Sequence, residues 1–251
     1  MNKISNNQHN PRHEMSRKKS PVGSAQAQSA HDFQQIHDSP PPDRTLAWLL
    51  LAHGAGAPMT SPFLEKMASL LVDRGIGVTR FEFSYMAMRR IDAKRRPPPK
   101  ADKLVDEFRS AMAALSSLAA ARNIPLLIGG KSMGGRVATM AADALFAEQK
   151  IHGAVVLGYP FHPPGKPENP RIAHLQSMAA PLLIIQGERD PFGSRAEAEA
   201  YRLPPAIRFV WAVDGDHDLG PRGGKGTTRA ANLSAAADAI AEFARTTVSK
   251  K

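Results

Sequence analysis

Leu126-Leu127-Ile128-Gly129-Gly130-Lys131-Ser132-Met133-Gly134-Gly135-Arg136 is the stretch on which the fold turns. Three consecutive large apolar residues read as a buried strand, and Met133 to Ala147 reads as a helix. Between them only the glycines and one lysine precede Ser132, so the chain must turn sharply there. A turn that tight forces the serine into a strained backbone conformation and leaves no room for bulk two residues to either side. Gly130 and Gly134 meet that demand. The helix that follows aims unpaired N–H groups and a partial positive charge at the serine hydroxyl.

The G-x-S-x-G pentapeptide alone arises by chance in about one chain in ten of this length. Its strand–turn–helix setting makes the signal specific. Gly130-Lys131-Ser132 also resembles the end of a phosphate-binding P-loop. That motif needs a glycine at position 125, which is Pro, and the apolar strand leaves no residues for the cradle.

Outward from this point, short apolar runs alternate with longer amphipathic ones. The expected strands are Ala47–Ala52, Val78–Phe83, Leu126–Ile128, Ala154–Leu157, Leu182–Gln186 and Ile207–Val213. They are continuous in Leu, Ile and Val, as strands covered on both faces are. The expected helices are Pro62–Arg74, Lys103–Arg122, Met133–Ala147, Ser194–Tyr201 and Thr228–Thr246. Such alternation predicts an α/β domain with a mostly parallel sheet of about six strands and helices on both faces.

A nucleophilic serine needs a base, and the base needs an orienting acid. After Ser132, the strand ending at Gln186 runs into Gly187-Glu188-Arg189-Asp190, and the last strand runs into Asp214-Gly215-Asp216-His217. Both turns fall at carboxyl ends of strands, where an open parallel sheet gathers its ligand-binding loops. Asp190 and His217 are therefore the candidate acid and base. Asp214 and Asp216 compete for the acid's role, but carboxylates so close to the histidine usually satisfy turn N–H groups. For the oxyanion, Met133 N–H is the first candidate donor. His53-Gly54-Ala55-Gly56-Ala57 follows the first buried strand and offers Ala55 N–H, with Gly56 as its alternate. His53 reads as a core hydrogen-bonding residue.

Composition narrows the classes further. The chain has 251 residues, 42% apolar, and no cysteine, which excludes disulfides, thiolate metal sites and a cysteine nucleophile. No apolar run has signal-peptide or membrane-spanning length, so a soluble, cytoplasmic protein is expected. Residues 1–42 are polar, end at Pro40-Pro41-Pro42, and are expected to be a disordered tail, leaving 43–247 as the domain. The net charge of +10 raises nucleic-acid binding. Half of it lies in Arg89–Lys103, with seven basic and two acidic residues, and no aromatic interleaving or helix-turn-helix pattern accompanies it. That segment is expected to be a solvated basic rim beside the site rather than a nucleic-acid face.

Leu49-Leu50-Leu51-Ala52-His53-Gly54-Ala55-Gly56, Arg80-Phe81-Glu82-Phe83-Ser84-Tyr85-Met86, Gly129-Gly130-Lys131-Ser132-Met133-Gly134-Gly135-Arg136 and Gly187-Glu188-Arg189-Asp190-Pro191-Phe192-Gly193 together resemble the KANL3/Tex30-type α/β-hydrolase family. The resemblance covers about residues 45–245 and extends more distantly to dienelactone hydrolases, which use a cysteine where this chain has Ser132. It implies an α/β-hydrolase fold without a large cap domain and a Ser132–Asp190–His217 triad. It also implies no cofactor or metal but no particular substrate; the triad chemistry itself points to a small ester or thioester. Some eukaryotic relatives serve in protein complexes, so the competing expectation is an interaction scaffold with a protein partner.

Overall fold

The computed structural model describes Met1 and residues 34–92, 94, 97–120, 123–224 and 226–248. Seven strands form one sheet in the order β1-β3-β2-β4-β5-β6-β7. They are β1 (Gln35–Asp38), β2 (Ala47–Ala52), β3 (Ile76–Phe81), β4 (Leu126–Lys131), β5 (Gly153–Leu157), β6 (Leu182–Gly187) and β7 (Ile207–Ala212). All neighbours are parallel except the β1–β3 pair. The helices are α1 (Pro62–Val72), α2 (Ser84–Asp92), α3 (Val105–Ala120), α4 (Met133–Ala147), α5 (Arg195–Ala200) and α6 (Arg229–Val248). No described helix is long and apolar enough to cross a membrane.

The sheet divides two apolar cores. Along β2, Trp48, Leu50 and Ala52 enter the core shared with α3 and α4, while Ala47, Leu49 and Leu51 enter the one shared with α1 and α6. All six β2 residues are buried. That is why the strand reads as an unbroken apolar run rather than an alternating one. Each of its fully buried leucines contributes about 1.5–3 kcal/mol of transfer free energy.

Six of the seven strands lie where the sequence places them, with shifts of up to three residues at the ends, the largest at β4, which runs on through Gly129 and Gly130 to Lys131. Only β3 is displaced as a whole: it starts at Ile76 and ends at Phe81, two residues earlier than expected at each end. The reason is Phe83, which is fully buried but already part of the turn into α2. The seventh strand, β1, corrects the expected domain boundary at 43. Residues 34–42 belong to the fold: Glu82 N–H donates to Gln34 O at 3.2 Å, and β1 pairs with β3 over Gln35–Asp38. This strand is short, polar and at the edge of the sheet, so it carries no apolar run to reveal it. Residues 2–33 of the expected tail lie outside the described residues.

Asp38 also neutralises Arg80, whose buried guanidinium bonds both its carboxylate oxygens at 2.9 and 3.2 Å. A chain starting at Asp43 would leave that charge with only the more distant and exposed Glu65, at 3.9 Å, and open the β3 edge. Removing one partner of a buried pair costs on the order of 3 kcal/mol or more. Thermal unfolding of a chain starting at Asp43 is therefore expected about 6–12 °C below that of one starting at Gln34. Equal midpoints would show that β1 adds nothing.

The segment Arg89–Lys103 is only partly the loop expected. Arg89, Arg90 and Asp92 close α2, and Arg90 pairs with buried Glu82 at 2.9 Å. Ala93, Arg95 and Arg96 lie outside the described residues. Pro97 to Lys100 run without regular structure into a single 3₁₀ turn at Ala101–Leu104, as three consecutive prolines dictate.

Candidate functional site

Every candidate residue sits at the carboxyl edge of the sheet. Ser132 follows β4 and caps α4 with φ +52° and ψ −116°. A non-glycine residue there costs about 1–3 kcal/mol of backbone strain. The strain is held by packing that tolerates no substituent at the flanking glycines. A methyl on Gly130 would lie 2.5 Å from the Gly134 carbonyl carbon, and one on Gly134 would lie 2.8 Å from the Ala52 side chain. The elbow is thus wedged between β2 and α4. Ser132 N–H is spent on Leu157 O at 3.0 Å. Met133 opens α4, whose first N–H groups have no partner within the helix.

Asp190, in the turn after β6, is fully buried and saturated with donors. Its Oδ1 accepts Phe192 N–H at 2.8 Å, and its Oδ2 accepts from Gln186 Nε2 at 2.9 Å and His217 Nδ1 at 2.8 Å. An ionised carboxylate only accepts, so Nδ1 of His217 carries a proton and Nε2 is left as the acceptor. The His217 ring packs against Phe192 with centroids 4.3 Å apart and keeps a fifth of its side chain exposed. Ser132 and His217 line one cavity of about 490 Å³, walled by the Gly54–Ala57 loop, Phe63 and Phe192.

The two rival acids serve the turn instead. Asp216 accepts the N–H groups of Asp218 and Gly220, both at 2.9 Å. Asp214 pairs with Arg189 at 2.8 Å and Arg222 at 2.6 Å. The Arg222 guanidinium, ahead of all other causes, holds the Asp214 carboxyl down at about 2.

His53 is structural, as its sequence context suggests. Its Nε2 accepts Phe83 N–H at 3.1 Å, so Nδ1 donates to Gly54 O, at 2.6 Å. Burial pushes its pKa down and keeps the ring neutral. The next carbonyl, Ala55 O, accepts the Tyr85 hydroxyl at 3.1 Å. In a trans peptide the N–H points opposite to the carbonyl. These two bonds therefore turn Ala55 N–H away from the His53 ring and Gly56 N–H away from Tyr85. Ala55, Ser132 and Met133 meet along a second cavity on the far side of the serine.

The sequence reading missed Lys131 and Gln186. Lys131 is buried, donates from Nζ to His217 O at 2.8 Å, and pairs with Asp218 at 3.2 Å. It thus ties the serine turn to the histidine loop. Burial pulls its pKa down, opposed by Asp218, Asp190 and Asp216 in turn. Its signal was a charged residue at the end of a buried strand, read there as a variable motif position. Gln186 ends the apolar run of β6 and is fully buried. A polar residue in that place needs partners, and Asp190 is one of them.

A charged hydrogen bond contributes on the order of 1.5–3 kcal/mol. Lys131→Met is expected to lower kcat about 10- to 100-fold by loosening the histidine loop, with KM within about threefold. An unchanged kcat would remove Lys131 from the positioning of His217.

Among the described residues, no group of three or more His, Cys, Asp or Glu side chains is placed to hold a metal ion.

Residues 45–245 match the family model described as an alpha/beta hydrolase domain. Among solved structures, the dienelactone hydrolase from Anabaena variabilis is 21% identical, with a TM-score of 0.65, covering 86% of this chain and 92% of its own. An alpha-beta serine hydrolase homologue from Coxiella burnetii is 17% identical at a TM-score of 0.58, over 85% and 91%. The monoacylglycerol lipase of Paleococcus ferrophilus is 14% identical at 0.58, over 86% and 100%. With four fifths of its length inside that family model and its site residues gathered at the carboxyl edge of the sheet, the chain belongs to the α/β-hydrolase family.

Proposed function

We propose that the protein is a serine hydrolase that cleaves a small ester or thioester through an acyl-enzyme, with Ser132 as nucleophile, His217 as base and Asp190 as orienting acid. The observation that carries this reading is the 2.8 Å bond from His217 Nδ1 to buried Asp190, with His217 on the wall of the cavity that Ser132 lines. His217 Nε2 takes the Ser132 proton as Oγ attacks the carbonyl carbon. The oxyanion faces Met133 N–H and Ala55 N–H, with Gly56 as alternate donor. Collapse expels the alcohol or thiol, which takes the proton from His217. Water, activated by the same histidine, then releases the acid. Side chains, backbone N–H groups and water supply every step, with no cofactor.

The four motif segments support placement in the KANL3/Tex30-type branch. Hydrolysis of p-nitrophenyl esters of graded chain length, with Ser132→Ala as control, tests the activity. Turnover that survives in the Ser132→Ala protein, or no turnover of any ester, would refute it.

A further inference from the structure

The cavity on the α4 side of Ser132, about 430 Å³, differs in charge from the one shared with His217. Arg136 and Arg171 line it, with Lys100 as a third cation and Asp102, exposed, as its one acid. Arg136 lies one helical turn after Ser132 on the same face of α4, about 6 Å along the axis.

Several arginines of this fold pair with carboxylates, among them Arg74 with Asp238, Arg80 with Asp38, Arg90 with Glu82, Arg109 with Glu148 and Arg189 with Asp214, while Arg208 and Arg229 lie over aromatic rings. Among the described residues neither Arg136 nor Arg171 has a carboxylate partner, and Arg136 Nε is buried without any hydrogen bond. An unpaired, partly buried guanidinium carries a desolvation cost that an anion would offset. The neighbouring groups do not supply that anion. Tyr159 is fully buried with its phenol held in the protonated form, and its hydroxyl donates to Arg171 O at 2.7 Å. His174, bonded to Thr139 at 3.0 Å, is held neutral by burial and then by Arg136, its pKa down at about 4. The mutual repulsion of the two guanidinium groups adds to burial in lowering the Arg171 pKa. Two forked cations facing a cavity one turn from a nucleophile form a receptor for a planar acid group.

We propose that Arg136 and Arg171 select esters carrying a second, ionised acid group a few bonds from the reacting carbonyl. This rests on the serine-hydrolase reading of the same site and names its substrate class.

The test compares matched esters on the full chain. On the acyl side, p-nitrophenyl hemiglutarate is set against p-nitrophenyl valerate, which has the same number of acyl carbons. On the alcohol side, the butyrate ester of 3-hydroxybenzoate is set against phenyl butyrate. The expected result is about a tenfold or greater preference in kcat/KM for the anionic member of at least one pair, carried mainly by KM. Arg136→Gln and Arg171→Gln should each bring that ratio close to one, and Arg136→Lys should restore part of it. Arg171 lies in the loop after β5, outside any helix, so its variant keeps the test decisive if Arg136→Gln misfolds. Neutral and anionic esters turned over equally well, or a preference that survives both Gln variants, would overturn the proposal alone. No turnover of either kind, with Ser132 inert to acylating probes, would overturn the hydrolase reading and this inference with it.

Discussion

Ser132→Ala is expected to lower kcat for ester hydrolysis by about 10⁴–10⁶, the range in which a triad nucleophile is lost. The fold should survive, because the change removes one oxygen from a residue whose hydroxyl bonds nothing in the core. Alanine at φ +52° bears the same backbone strain as serine, so the thermal midpoint should move by no more than a few degrees. The pairing of those two outcomes matters. A large loss of activity with a large loss of stability would point to a structural serine. Stability kept with activity kept would remove the nucleophile.

Asp190→Asn should cost about 10⁴ in kcat, and the hydrogen bonds around Asp190 say why. Its Oδ1 accepts Phe192 N–H, while Oδ2 accepts from both Gln186 and His217. If the asparagine oxygen keeps Phe192, its NH₂ faces two donors. His217 must then accept at Nδ1 and carry its proton on Nε2, where it cannot take one from Ser132. If the amide flips, it meets Phe192 N–H donor to donor. Only the flipped arrangement keeps the working tautomer, and it sets two buried donors against each other. Asp214→Asn and Asp216→Asn should cost about tenfold or less, through the loop that bears His217. The pairing of Asp214 with Arg222 lowers its carboxyl pKa in the fold, so its contribution to stability is present above the ordinary carboxylate range. It is lost only as pH falls toward about 2. Steady-state kcat for the three variants decides the assignment, and Asp190→Asn as the mildest of them would redraw it.

Much of this was legible from residue order. Strands buried on both faces show as apolar runs, and the two cores along β2 are the physical reason. The serine turn was legible because steric exclusion at Gly130 and Gly134 leaves a mark in the sequence. The pairing of His217 with Asp190 was legible because Asp190 closes a separate strand, while turn N–H groups claim the nearer carboxylate of Asp216. What stayed hidden depends on contacts between distant segments. β1 is polar and finds its strand character only by pairing with β3. Ser84–Asp92 is only nine residues long and holds two arginines and little apolar surface, with Met86 its one buried residue, so it is too short and too polar to stand out as a helix. Lys131 and Gln186 were visible as polar residues at strand ends, but their partners, 86 and 4 residues away, appear only in the fold. The cationic pair Arg136 and Arg171 comes from α4 and the long loop after β5, and nothing in either segment announces the other.

The most direct measurement is intact-mass and peptide-mass analysis after treatment with a fluorophosphonate, which phosphonylates only a hydroxyl made nucleophilic by its surroundings. The expected result is a single adduct on Ser132, formed within minutes and much reduced in His217→Ala and Asp190→Asn proteins of native fold. A folded wild-type protein that takes up no label, or takes it on another residue, would contradict the account.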